Sequence, residues 1–281
     1  MVISERTLKE RDILQILILK TMFEKISKPG TLVVKGGFAM RATAKSRRFT
    51  KDIDLCVDPS IPVHQIQQQV KGFIKSALKD NPVVEKTVIT EPKQTETTLK
   101  WKICGTIAGT PNEKVELTVE VFRHSIPPRD FITAVTFIPP IEYNLSPILV
   151  ESYSLEALML SKMLSLLSDT RQAIRDVYDV FLLINIGVDV NKQIIASYLK
   201  QNNISKDDAL KKIWQKMGSF TYERAINELL PFLPKAEYIR LDETFYAQMR
   251  ATVIEHLQGT IEDCYKGILS DSSFSPVSII L

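Results

Sequence analysis

Arg48-Phe49-Thr50-Lys51-Asp52-Ile53-Asp54-Leu55 is the stretch that decides the fold of this chain. In an extended strand, alternate side chains share a side. Asp52 and Asp54 therefore stand together, while Ile53 and Leu55 turn toward a core. Neighbouring carboxylates repel each other and cost stability unless a cation lies between them. Upstream, the run Thr31-Leu32-Val33-Val34 predicts a short buried strand that Gly36-Gly37 stops. Phe38 to Ala44 suits a helix opening directly after the glycines. Glycine lacks a Cβ, so the backbone can pass close to a ligand. A helix N-terminus just beyond it offers free N–H groups to an anion. A glycine turn followed by a strand with two acids is the arrangement that holds a nucleoside triphosphate through Mg²⁺.

Working outward, residues 5–28 predict an amphipathic helix with Leu8, Ile13, Leu14, Leu17, Ile18, Met22 and Phe23 on its apolar side. Strands are expected at 52–57, 83–90, 98–108, 114–122 and 132–138, and a helix at 63–78. Beyond Pro147 the texture changes. Residues 154–168, 171–186, 191–201, 206–217, 220–230 and 242–268 all read as helical. The expected organisation is a mixed α/β domain over 1–150 and an all-helical domain over 151–281. Ser270 to Leu281 reads as a loose tail or a docking segment.

Bulk properties narrow the functional classes. A chain of 281 residues, 44% hydrophobic and 25% charged, has ordinary globular composition. A net charge of +3 permits RNA or nucleotide binding but lacks the strong basic bias of a dedicated nucleic-acid module. Cys56, Cys104 and Cys264 are far apart, as are His64, His124 and His256, so no zinc-site spacing appears. No Ser-His-Asp or Cys-His nucleophile pattern is present. The apolar stretches are too short for a membrane span and the N-terminus carries no signal-peptide pattern, so a reduced, cytoplasmic protein is expected.

Three groups of residues can carry chemistry. Lys35, Gly36, Gly37 and Arg41 surround the turn, and Arg48, Thr50 and Lys51 lead into the acid pair. A third acid is available on 114–122, where Glu116 and Glu120 share the polar side opposite Val115, Leu117, Val119 and Val121. Three acids can hold two Mg²⁺ ions for an in-line displacement at a phosphate. In the helical half, Lys162 lies in the apolar helix Leu155–Leu167. Asp169-Thr170-Arg171-Gln172 reads as a capping box, followed by Arg175, Asp176 and Asp179, the two acids on one helix face.

Taken together, Lys35-Gly36-Gly37, Arg48-x-Thr50-x-Asp52-x-Asp54, Glu120, Lys162 and Arg175-Asp176-x-x-Asp179 resemble the AbiEii/AbiGii-type, MenAT-like nucleotidyltransferase toxins, from about residue 30 to residue 185. These belong to the DNA polymerase β-like nucleotidyltransferase superfamily. The resemblance implies an α+β nucleotidyltransferase fold: a mixed β-sheet flanked by helices, then an all-helical C-terminal domain. It implies that Asp52, Asp54 and Glu120 bind Mg²⁺, two ions in all. Lys35, Gly36, Gly37, Arg48, Thr50 and Arg175 would meet the nucleotide, and Lys162 with Asp176 or Asp179 would complete the catalytic set. It selects Glu120 over Glu116 through Val119-Glu120-Val121-Phe122-Arg123. Two departures stand out: Gly37 occupies a position where many superfamily members carry serine, and the third acid is glutamate.

The expected activity is transfer of a nucleoside monophosphate from an NTP to an acceptor hydroxyl. By resemblance the acceptor is tRNA and an antitoxin is the partner. The rivals are transfer to a small molecule or a protein on the same fold, and a nucleotide-binding module with little turnover.

Overall fold

The computed structural model describes residues 4–26, 28–81, 83–124, 126–168 and 174–276. The chain begins with α1 (Glu5–Lys25), whose N-cap Ser4 accepts the Thr7 N–H through its hydroxyl. There follow β1 (Leu32–Lys35), α2 (Gly36–Thr43), β2 (Asp52–Val57), α3 (Val63–Asp80), β3 (Val84–Gln94), β4 (Thr98–Ile107), β5 (Thr110–Phe122), β6 (Ile132–Phe137) and β7 (Ile148–Tyr153). The strands form one mixed sheet in the order β3-β4-β5-β2-β1-β7-β6. β2 runs parallel to β5 and β1 parallel to β7; the other neighbours are antiparallel. Gly109, with φ +75°, makes the tight β4–β5 turn.

The three central strands, β5, β2 and β1, explain themselves. Val33, Val34, Ile53, Leu55, Val119 and Val121 are fully buried, and Trp101 fills the same core from β4. Burying such side chains stabilises by roughly 1.5–3 kcal/mol each, enough to pin β2 and fix which side its acids take. The buried stripe of α1 differs from the expected one. It includes Arg11, Asp12 and Gln15, while Ile13, Leu17 and Phe23 are only partly covered. Burial of polar groups rotates the helix because each meets a specific demand in the fold. The Asp12 carboxylate receives Arg41 of α2 in a buried ion pair. Gln15 donates from Nε2 to the Thr50 carbonyl at 3.1 Å.

Beyond Ser154 come α4 (Leu155–Leu167), α5 (Ile174–Asn185), α6 (Lys192–Gln201), α7 (Lys206–Ser219), α8 (Tyr222–Leu229), α9 (Lys235–Tyr238) and α10 (Glu243–Asp263), which ends in a π-helical turn at Cys264–Ile268. Asn191, Ser205, Thr221 and Asp242 cap α6, α7, α8 and α10 by accepting first-turn N–H groups. The expected capping box Asp169-Thr170-Arg171-Gln172 lies outside the described residues. The chain divides into two compact units, Met1–Ser154 and Leu155–Leu281.

β7 was not expected. Its stretch Ile148-Leu149-Val150-Glu151-Ser152-Tyr153 runs directly into the apolar helix α4, which hides its end. The segment 270–276 is not loose in the structure: Lys200 of α6 donates to the Phe274 carbonyl at 2.6 Å and its ammonium lies 5.2 Å from the Phe274 ring centroid. Among the described residues no helix is long and apolar enough to cross a membrane.

Candidate active site

The site is built on the turn between β1 and α2. Gly36 opens α2 itself, two residues earlier than the glycine-then-helix reading places it, and it does so at φ +66°. Lys35 is an extended N-cap without a side-chain capping bond, and the first turn holds no acid. The opening N–H groups of α2 are therefore not capped from within, the condition for binding an anion.

Two side chains require the glycines. A Cβ on Gly36 would collide with the Asp54 carboxylate, standing 3.0 Å from its Cγ. A Cβ on Gly37 would lie 2.6 Å from the Thr50 hydroxyl oxygen. The double glycine thus lets the start of α2 rest directly on β2. A bare backbone turn pressed against a carboxylate leaves room where any side chain would intrude.

Strand register sets the acids. Asp54 lies opposite Lys35 on one side and Glu120 on the other. Asp52 lies opposite Thr118. Residues directly opposite point to the same face, so Asp52, Asp54 and Glu120 share one face of the sheet. Both aspartates are half-buried. Glu120 meets Lys100 of β4 at 3.4 Å. Lys35 extends on this same face, its ammonium 4.0 Å over the Phe122 ring centroid. Glu116 lies further from this group, on a 3.1 Å ion pair with Lys51 that pulls its carboxyl below the usual glutamate range.

Several residues expected to face phosphate are placed otherwise. Arg41 is committed to Asp12 and packed among Phe38, Phe49 and Phe137. Lys51 is committed to Glu116. Arg48, 3% exposed, donates from Nη1 to the Phe49 carbonyl at 3.1 Å and sits behind Gly37. The Thr50 hydroxyl is buried and bonds the Asp52 backbone. Arg48 and Thr50 form the floor of the turn. The physical reason is shared: α2 packs so closely on β2 that side chains between them are enclosed.

Arg11 was missed by sequence reasoning. It is 4% exposed on α1, and its buried Nε and Nη1 have no hydrogen-bond partner. Burial lowers its pKa, while the Glu116 and Asp52 carboxylates act in the opposite direction. A guanidinium is thus held near the Asp52 and Glu116 carboxylates. The available signal was a charged Glu10-Arg11-Asp12 run inside a helix otherwise patterned for burial.

In the second unit, Lys162 of α4 is buried with its ammonium 2.6 Å from Asp176 and 2.8 Å from Asp179, both buried on α5. Asp176 and Asp179 share a face as their spacing predicts. The lysine is not solvated: a buried cation must be paired, and here two carboxylates pair it. Arg175 lies beside them, its guanidinium 5.0 Å from the Phe232 ring centroid.

Among the described residues, no three His, Cys, Asp or Glu side chains form a ready cation cage. That suits Mg²⁺ bound together with substrate, which needs one or two carboxylates and takes its other ligands from phosphates and water. Asp52 and Asp54, beside a cradle that a Cβ would fill, are a fitting donor set.

A glycine turn rests on a strand acid, with a second acid two residues before it and a third in register on the next strand. The family model described as "Nucleotidyl transferase AbiEii toxin, Type IV TA system" matches residues 17–259. The chain belongs to that family and is a nucleotidyltransferase of the toxin class, with an NTP as substrate and an antitoxin as counterpart. No curated protein matches the chain. Among solved structures, JHP933 from Helicobacter pylori shares the fold at TM-score 0.55 and 17% identity, covering 95% of this chain and 98% of that one. MenT4, a nucleotidyltransferase toxin from Mycobacterium tuberculosis, aligns at TM-score 0.47 and 12% identity over 90% of this chain and 92% of its own.

Proposed function

We propose that this protein transfers a nucleoside monophosphate from an NTP to a hydroxyl of tRNA in a Mg²⁺-dependent reaction. The acceptor oxygen forms a bond to the α-phosphorus as the bond to the bridging oxygen breaks, and pyrophosphate leaves. The observation that carries the reading is the packing of Gly36 on Asp54, which pairs an anion-binding helix start with a carboxylate. The turn at Gly36 and Gly37 receives the phosphates through backbone N–H groups, with Lys35 adding charge. Arg48 and Thr50 hold the turn in shape from beneath. Asp52 and Asp54 are the Mg²⁺ ligands, and Glu120 is the third acid. Bound there, the ion would offset charge on the triphosphate and favour the attacking oxygen as its anion. Lys162, Asp176 and Asp179, a buried charged group, and the half-buried Arg175 belong to the nucleotide-handling set. The phosphate turn and the metal acids lie in the first domain, 1–150 in the sequence reading, and acceptor choice is assigned to the residues beyond about 190.

Incubation with each labelled NTP, Mg²⁺ and total RNA tests this reading. Label is expected in the tRNA fraction and should vanish with EDTA. Asp52→Asn and Asp54→Asn should each abolish transfer, by roughly 100-fold or more, with the folded circular dichroism spectrum retained. Label found solely in protein or small molecules would overturn the tRNA acceptor.

A further inference from the structure

The second unit holds a cavity of about 410 Å³ between α7 and α10 that the transfer chemistry does not use. Its wall is Trp214, which is 51% exposed. An indole left half in water forgoes most of the gain of burial. Space in front of it exists because Ala247 and Ala251, one turn apart on α10, carry no more than a methyl. Arg250 lies between the two alanines on the same stripe, and Glu255 and Gln258 follow further along it. They supply a donor, an acceptor and an amide with both functions. One helical turn before Trp214 lies Lys211, exposed on the same face of α7.

We infer that this cavity binds an unpaired nucleobase of single-stranded RNA, stacked on Trp214, edge-bonded by Arg250, Glu255 and Gln258, with Lys211 near the adjoining phosphate. The inference rests on the reading of RNA as acceptor and adds the place where that RNA is gripped. Stacking on an aromatic ring with a cation nearby is how single strands are held. A base edge presents donors and acceptors side by side and so answers the three polar groups at once. An apolar side chain from a protein would cover the indole and leave those groups unpaired. A base inside a duplex has neither face nor edge to offer.

The chain's two tryptophans make the test direct. Trp101 is fully buried in the sheet, so contact quenching reports Trp214. Titrating the full-length protein with an eight-nucleotide single-stranded RNA should quench its fluorescence, and a duplex of the same sequence should not. By anisotropy of labelled RNA, Trp214→Ala should weaken binding about tenfold. Trp214→Phe, which keeps a ring, should stay within about threefold of the native protein. Equal binding by Trp214→Ala with an unchanged spectrum, quenching by duplex as strong as by single strand, or quenching by an antitoxin protein alone would each overturn the inference. The same titration on Asp54→Asn separates the two readings. Quenching there without any RNA labelling by the native enzyme refutes the acceptor and keeps the site. RNA labelling by the native enzyme with Trp214→Ala binding normally refutes the site and keeps the acceptor.

Discussion

Gly36 carries two constraints at one atom. Its φ of +66° is strained for any L side chain, and the space a Cβ would take belongs to Asp54. Gly36→Ala should therefore cost about 1–3 kcal/mol of stability and abolish transfer with it, read from a urea midpoint and the labelling assay. An unchanged midpoint would show that the turn is not built as described. Glu116 and Glu120 make a contrasting pair four residues apart. Glu116, 52% exposed, pairs with Lys51 at the surface, so Glu116→Gln should leave transfer nearly unchanged, whereas Glu120→Gln should reduce it severely. The Lys51 bond lowers the folded pKa of Glu116. The stability it adds is small because the pair is open to solvent. It is present above the ordinary glutamate pKa and fades as pH falls through the lowered folded value. An acid titration of unfolding should thus show slightly less acid sensitivity for Glu116→Gln. At this scale the acid pair and the double glycine were legible, because side-chain alternation is local; alternation put Glu116 and Glu120 on one side alike, and only the family resemblance preferred Glu120. Arg11 was not legible, since its meaning depends on which carboxylates the folded chain brings near it.

Between elements, the Asp12–Arg41 pair ties α1 to α2, and Tyr143 adds to it. Burial and the Asp12 carboxylate push that phenol's pKa up. Removing one partner of a buried pair leaves a charge uncompensated. Arg41→Ala should lose about 3–5 kcal/mol, while replacing both partners with apolar residues, Asp12→Leu with Arg41→Met, should recover most of that. A chemical denaturation series over the three proteins checks it, and a double variant as weak as Arg41→Ala would refute the account. Sequence pattern located α1 and α2 and read Arg41 as charge beside the turn, but not its pairing with Asp12, because a cation beside a glycine turn looks the same whether it faces phosphate or a buried aspartate. β7 escaped for a different reason. It pairs antiparallel with β6 across the irregular 138–147 connection and parallel with distant β1, so no tight hairpin turn announces the strand.

Over the whole molecule, the three cysteines divide usefully between the units. Cys104 is exposed, Cys56 is buried in the first unit and Cys264 is buried in the second. Burial pushes the Cys264 thiol up to about 11, which keeps the reactive thiolate scarce near neutral pH. Iodoacetamide under mildly alkaline native conditions should label Cys104 alone. Along a urea series, Cys56 and Cys264 should become reactive as their own units open, followed by peptide mass spectrometry. Early labelling of Cys264 in native buffer would contradict its packing against α6.

Local chemistry settled a good deal before any coordinates. Alternation placed two acids on one side of a strand, a pair of glycines marked a turn that excludes side chains, and helical periodicity after Pro147 announced a second unit. Long-range register did the rest. It set Glu120 against Asp54, sent Arg41 and Lys51 to carboxylates of their own, buried Lys162 between two aspartates and opened the space beside Trp214. Spacing along a chain fixes direction within one element, but which elements become neighbours is a matter of packing among residues far apart in sequence.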